Sequence, residues 1–125
     1  MRLPRYGYVD RAGTSNDRRL PVAETLSDIA IQRELGTLPG WARRGDVLTR
    51  MYTFRNFAES MRFVNRVADA AEAADHHPDI DIRYAKVTLT LSTHSAGGIT
   101  DKDIALARSI DTPAEVESPG EPDPA

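Results

Sequence analysis

The segment KVTLTLSTH, residues 86–94, alternates apolar and polar side chains more regularly than any other part of the chain. In an extended strand Val87, Leu89 and Leu91 share one face, and the opposite face carries Thr88, Thr90, Ser92 and His94. A strand with one apolar and one polar face is typical of an antiparallel sheet that helices cover on a single side. The segment therefore predicts such a sheet.

Three more strands are predicted before this one. Residues 80–84 alternate apolar with charged side chains, which indicates a strand that pairs with 86–94 as a hairpin. The stretch WARRGDVLTRMYTF, residues 41–54, is rich in β-branched and aromatic residues after a Gly45–Asp46 turn signal. It predicts two further strands joined by that turn.

Three helices are predicted around the strands. They cover about 26–35, with Thr25 or Ser27 as the cap, about 56–74, and the segment from Thr100 to 110. The second and third helices begin with capping-box spacing, Asn56 with Glu59 and Thr100 with Asp103. The middle helix has an apolar stripe that we expect to face the core, formed by Phe57, Met61, Val64, Ala68 and Ala71. The order α-β-β-α-β-β-α predicts an α+β fold, an antiparallel four-stranded sheet with helices packed on one face.

Composition divides the chain of 125 residues into three parts. Residues 1–24 form an Arg-rich N-terminal extension, 25–110 form one domain, and 111–125 form an acidic, Pro-rich tail that we expect to be disordered. The domain holds 11 basic and 11 acidic residues, which does not indicate a nucleic-acid surface. No apolar run suits a signal peptide or membrane span. The absence of cysteine favours a cytoplasmic location.

The three histidines of the chain all lie within residues 76–94. Pro78 favours an extended backbone at His77, so the pair His76–His77 is expected at a bend between helix and strand. The hairpin that follows can bring the pair close to His94. Three interpretations of these residues remain open: ordinary surface histidines, a three-histidine zinc site with an open position, or acid/base catalysis on a small polar substrate.

A family resemblance bears on this choice. From residue 72 the chain has an acidic residue, three others, His-His-Pro, five residues, an aromatic, nine residues, His, eight residues and Asp. This pattern resembles the signature of the pterin-4a-carbinolamine dehydratases. It is filled here by Glu72, His76, His77, Pro78, Tyr84, His94 and Asp103. The resemblance covers about residues 26–110, and neither flank has a counterpart.

The resemblance implies an enzyme that dehydrates 4a-hydroxytetrahydrobiopterin, the product of aromatic amino-acid hydroxylases, to quinonoid dihydropterin. It implies no cofactor and no metal, and a homodimer or homotetramer. By the same resemblance His76, His77 and His94 supply the acid and the base. The pterin is expected to be bound by Asp103, which can instead orient an imidazole, and by Glu72 and Trp41.

Some relatives imply a different class of function. Non-catalytic proteins of this fold bind a transcription factor as a dimerisation partner or assist the assembly of an enzyme. Such proteins are expected to lose the histidines, so their retention here favours catalysis. Neighbouring side chains in an extended chain diverge, and on that ground we expect His77 and His94 to matter more than His76.

Overall fold

The computed structural model describes residues 24–112, which form three helices and one sheet. The helices are α1 (Asp28–Leu35), α2 (Phe57–Ala74) and α3 (Asp101–Asp111), and the strands are β1 (Ala42–Arg44), β2 (Val47–Thr53), β3 (Asp79–Arg83) and β4 (Lys86–Leu91). A short 3-10 turn, His94–Ala96, lies between β4 and α3. The predicted N-terminal extension and most of the predicted tail lie outside the described residues.

The four strands form one antiparallel sheet in the order β1-β2-β4-β3. Leu48 of β2 pairs with Leu91 of β4, and Ile80 of β3 pairs with Leu89. Although β4 is the last strand in the sequence, it is one of the two central strands, and β3 lies at an edge. The predicted α+β class and the order of its elements are confirmed.

The core lies between the helices and the inner face of this sheet. Val87, Leu89 and Leu91 are fully buried, whereas the intervening threonines of β4 are only half-buried, as the alternation predicted. From the helical layer Phe63 packs its ring 4.4 Å from that of Tyr52 on β2. Helices thus cover one face of the sheet, and the opposite face carries the polar side chains.

The predicted core stripe of α2 is correct only in part: Ala71 is buried and Val64 packs partly buried against the core, whereas Phe57 and Ala68 are exposed. The buried residues of this helix are Ser60, Phe63, Val67 and Ala71, and of these only Ala71 belonged to the predicted stripe. Phe57 is 49% exposed. A serine can occupy the buried position because its Oγ donates a hydrogen bond to the carbonyl of Tyr84 at 2.8 Å. The predicted stripe included only apolar residues, so it left Ser60 out of the core.

Two predicted boundaries also change. Ser27 caps α1 by accepting a hydrogen bond from the N–H of Ala30, so the helix begins two residues after Leu26. Asp111, predicted as the first residue of the disordered tail, instead closes α3 and accepts three side-chain hydrogen bonds. Within residues 24–112 no helix combines the length and apolarity that a membrane crossing requires.

Candidate active site

The histidine pair lies where α2 ends and the chain turns into β3. Asp75 takes the left-handed conformation, with φ 52° and ψ 42°, and its N–H donates to the carbonyl of Glu72. The N–H of His76 donates to the carbonyl of Ala71 at 3.1 Å, which completes a Schellman motif. Pro78 cannot continue a helix. The helix cap therefore fixes the backbone that carries His76.

The imidazole of His76 binds a buried carboxylate. Its Nε2 lies 2.6 Å from Oδ1 of Asp103, and the two side chains are 11% and 0% exposed. The carboxylate only accepts hydrogen bonds, so a neutral His76 carries its proton on Nε2. Its basic nitrogen is then Nδ1. Asp103 thus selects one of the two tautomers of His76.

Two threonines hold the other oxygen of this carboxylate. Oδ2 of Asp103 accepts the hydroxyl of Thr93 at 2.8 Å and the N–H of Thr100 at 2.9 Å. Thr93 is 4% and Thr100 is 1% exposed. A buried charge is tolerated when such donors replace its water. The predicted capping box of Thr100 and Asp103 is confirmed, and it doubles as the support of the carboxylate.

His77 has a carboxylate partner of a different kind. Its Nε2 lies 2.6 Å from Oε2 of Glu72, but the two side chains are 56% and 78% exposed. Exposed ion pairs contribute little because water competes for both partners. Glu72 can therefore bias the position of His77 but does not fix it as Asp103 fixes His76.

His94 begins the 3-10 turn and is exposed. In the β3–β4 hairpin Asp79 pairs with Thr90. The histidine pair precedes Asp79 and His94 follows Thr90, so all three histidines leave the same end of the hairpin. The predicted convergence across the hairpin is present at the level of the backbone.

The arrangement is suited to proton transfer. An imidazole can both donate and accept a proton, and an imidazole whose far nitrogen is bound to a carboxylate is the usual form of an oriented general base. In residues 24–112 no group of three or more His, Asp and Glu side chains is placed to hold a metal ion.

Comparison with known proteins assigns the family. The sequence model of the pterin 4 alpha carbinolamine dehydratase family matches residues 24–113, well over half of the chain. The chain belongs to this family. The predicted resemblance is therefore confirmed, and it extends over the whole part of the chain that the structure describes.

Individual relatives agree with this assignment. A protein of Thermomicrobium roseum is 60% identical over 85 residues, which are 68% of this chain and 91% of the relative. One of Mycobacteroides abscessus is 58% identical over 87 residues, 70% of this chain and 93% of the relative. Both bear the provisional name pterin-4-alpha-carbinolamine dehydratase. A solved Brucella melitensis structure, described as a transcriptional coactivator/pterin dehydratase, is 33% identical with a TM-score of 0.68 and covers 70% of this chain and 96% of its own.

Trp41 lies in another part of this dehydratase-family domain. It is buried, and its Nε1 donates to Oδ2 of Asp111 at 2.7 Å. The same carboxylate accepts a guanidinium N–H of Arg50 at 3.0 Å and the hydroxyl of Tyr52 at 2.6 Å. Asp111 follows Asp103 by eight residues of helix, about 12 Å of rise. The structure thus places Trp41 at the opposite end of α3 from the histidine partner.

Sequence reasoning missed Thr93, whose hydroxyl supports the carboxylate partner of His76. A signal for it exists, because the inward positions 87, 89 and 91 of β4 continue by alternation to position 93. A polar residue at an inward position requires a buried partner. For Thr93 that partner is Asp103.

Proposed function

We propose that this chain dehydrates pterin 4a-carbinolamines such as 4a-hydroxytetrahydrobiopterin to the quinonoid dihydropterin and water. The C4a–O bond breaks, and the hydroxyl leaves as water after taking a proton from an acid. A base takes the proton of N5–H, and the electron pair of that N–H bond forms the C4a=N5 double bond. The step is redox-neutral. In the cell it recycles the pterin that an aromatic amino-acid hydroxylase leaves.

One observation carries the proposal within the family assignment. His76 is held at 2.6 Å by a carboxylate with no exposed surface, at the end of the hairpin from which His77 and His94 also leave. Hydroxide is a poor leaving group, so the reaction needs an acid and a base that both titrate near neutrality. Histidine is the residue whose ordinary pKa suits both tasks.

The geometry favours a different ranking of the histidines from the one that the sequence indicated. His76 has a fixed tautomer and a buried partner, whereas the partner of His77 is even more exposed than His77 itself. A group that is held in place contributes more to a proton transfer than one that must first be ordered. We therefore place His76 in a central role, with His77 and His94 completing the acid/base set.

The direct test is absorbance-monitored dehydration of freshly generated 4a-hydroxytetrahydrobiopterin with and without the protein. The wild-type chain is expected to accelerate the reaction. The double variant His77→Ala, His94→Ala is expected to lose about two orders of magnitude or more, since each removed acid or base typically contributes about 10²–10⁴-fold. Ser95→Ala, in the same turn as His94 and also exposed, is the matched control. A wild-type rate in the double variant contradicts the catalytic proposal.

A binding role is the alternative. The Brucella melitensis relative is described as a coactivator as well as a dehydratase, so one chain of this family can be credited with both. For this chain the same dehydration assay distinguishes the two roles. Acceleration that depends on the histidines supports the enzyme, and a folded chain without acceleration supports a binding protein.

Self-association is part of the proposal. β3 is an edge strand in which every residue is exposed, including Ile80 and Ile82 at 37% each. An exposed apolar edge favours pairing with another strand. In an antiparallel two-fold pairing centred on Ile82, Asp81 of each copy faces Arg83 of the other, so both charges are matched. We propose a homodimer joined along β3.

Sedimentation velocity at micromolar concentration tests this interface. The wild-type chain is expected at twice the 13.8 kDa mass of one copy. Ile82→Lys is expected to give the single-copy mass, because two lysines then face each other across the two-fold axis. Met51→Lys is the control, since Met51 is 56% exposed on the opposite face of the sheet. A dimer that survives Ile82→Lys but not Met51→Lys places the interface on that opposite face.

A further inference from the structure

We propose that Thr93 is a positioning residue of the dehydratase site, which holds the carboxylate partner of His76 and the turn of His94 in one arrangement. Only the kinetic test of this inference rests on the proposed function. In the described contacts Thr93 touches neither imidazole. It acts through its hydrogen bond to Asp103 and through its own backbone.

The direction of each hydrogen bond around Thr93 follows from the donors available. Asp103 can only accept, so the single hydroxyl hydrogen of Thr93 goes to its Oδ2 at 2.8 Å. The hydroxyl of Thr100, 2.7 Å away, must then donate to Oγ1 of Thr93. Oγ1 of Thr100 in turn accepts the N–H of Lys102 at 3.1 Å. Thr93 is therefore the middle of an ordered chain of donors that ends at the carboxylate.

The backbone of Thr93 closes the loop that carries His94. Its N–H donates to the carbonyl of Gly98 at 2.9 Å, and its own carbonyl accepts the N–H groups of Ala96, Gly97 and Gly98. His94 is the next residue along the chain. Thr93 thus joins the two histidine segments: its side chain supports the carboxylate that binds His76, and its backbone closes the loop that carries His94.

Loss of the hydroxyl has a defined consequence. In Thr93→Val the shape of the side chain is kept, but Oδ2 of Asp103 loses a donor and the hydroxyl of Thr100 loses its acceptor. Oδ2 then keeps only the N–H of Thr100 as a donor, so the carboxylate is held less firmly in the orientation that binds His76. Among the described contacts, carboxylates meet the histidine pair at Asp103 of α3, bound to His76, and at Glu72 of α2, bound to His77. The substitution alters neither of them.

The test compares Thr93→Val with Thr93→Ser in the full chain. The valine variant is expected to lose about tenfold or more in kcat with KM within twofold, because misplacement of a catalytic group costs rate more than binding. The serine variant, which restores the hydroxyl, is expected to return to within about threefold of the wild-type rate. Thr90→Val, a half-buried threonine of β4 on the opposite face, is the matched control and is expected to keep the wild-type rate.

Nitrogen chemical shifts of the His76 imidazole supply a readout that needs no substrate. The wild-type and serine chains are expected to show the Nε2–H tautomer, and the valine chain a mixture of both tautomers. A lower melting temperature with unchanged tautomer and unchanged kcat shows a merely structural role and overturns the inference, as does failure of serine to rescue. If the valine variant does not fold, Thr93→Ala against Thr93→Ser makes the same comparison. If the wild-type chain lacks dehydratase activity the proposed function fails, and the tautomer comparison still decides the role of Thr93.

Discussion

Replacement of Asp103 by asparagine is expected to slow dehydration by about 10²–10⁴-fold while leaving the fold intact. The Oδ2 position receives two donors, from Thr93 and from the N–H of Thr100, so the amide oxygen of an asparagine stays there. Its NH₂ group then points at Nε2 of His76. That nitrogen must become an acceptor, and the imidazole proton moves to Nδ1. The residue is held in the wrong tautomer, which in serine proteases costs about 10⁴-fold.

The controls for this variant lie on the same helix. Asp101→Asn makes the same substitution at an exposed position of the first turn of α3, and we expect a wild-type rate from it. Asparagine can still serve in the cap at position 103, so the melting temperature of Asp103→Asn is expected within a few degrees of wild type. A near-normal rate in Asp103→Asn contradicts the role of Asp103 as the partner that sets the tautomer of His76.

The second large effect is expected on stability. Asp111→Ala removes the acceptor shared by Trp41, Arg50 and Tyr52. Each orphaned buried donor costs about 1–3 kcal/mol, reduced here because Arg50 and Asp111 are 29% and 23% exposed. We expect a loss of about 2–4 kcal/mol in the free energy of unfolding. For a domain of this size that lowers the melting temperature by about 10–20 °C.

Denaturant titration and thermal melting measure this loss. Asp69→Ala, the same substitution at an exposed position of α2, is expected to change stability by less than about 1 kcal/mol. A tyrosinate absorbance titration gives an independent reading. Burial, and then the hydrogen bond to the Asp111 carboxylate, raise the pKa of Tyr52 well above its ordinary value, so the pKa is expected to fall in Asp111→Ala. Unchanged stability and an unchanged tyrosine titration together contradict the assigned role of Asp111.

The fold was predictable where the sequence carries a clear period. The alternation at Val87, Leu89 and Leu91 identified the central strand, and the capping signals at Asn56 and Thr100 identified two helix starts. The buried face of α2 was not predictable from apolarity. Its position depends on Ser60, which is buried only because β3 ends beside it and offers the carbonyl of Tyr84. That carbonyl comes from a residue 24 positions away.

For the candidate site, the sequence indicated residues but not their contacts. Fixed spacing identified His76, His77, His94 and Asp103, but spacing does not reveal which carboxylate meets which imidazole. Whether Asp103 binds His76 depends on how α3 packs against the end of α2. Asp111 was assigned to the tail because Pro113 and the acidic residues beyond it read as a disordered segment. Its three donors come from β2 and from Trp41, the residue before β1, which local composition cannot show.

Helix α3 carries the histidine partner in its first turn and the Trp41 partner at its last residue, with Ile104, Leu106, Ala107 and Ile110 buried between them. A helix that is held at both ends and along one side is not expected to unfold at one end while the other end stays in place. We therefore expect the hydrogen-bonded amide protons of α3 to exchange with solvent only through global unfolding. The candidate site and the stability of the domain are then expected to depend on one cooperative unit. A substitution that loosens the β1–β2 end of α3 is expected also to lower the fraction of molecules with an assembled histidine site.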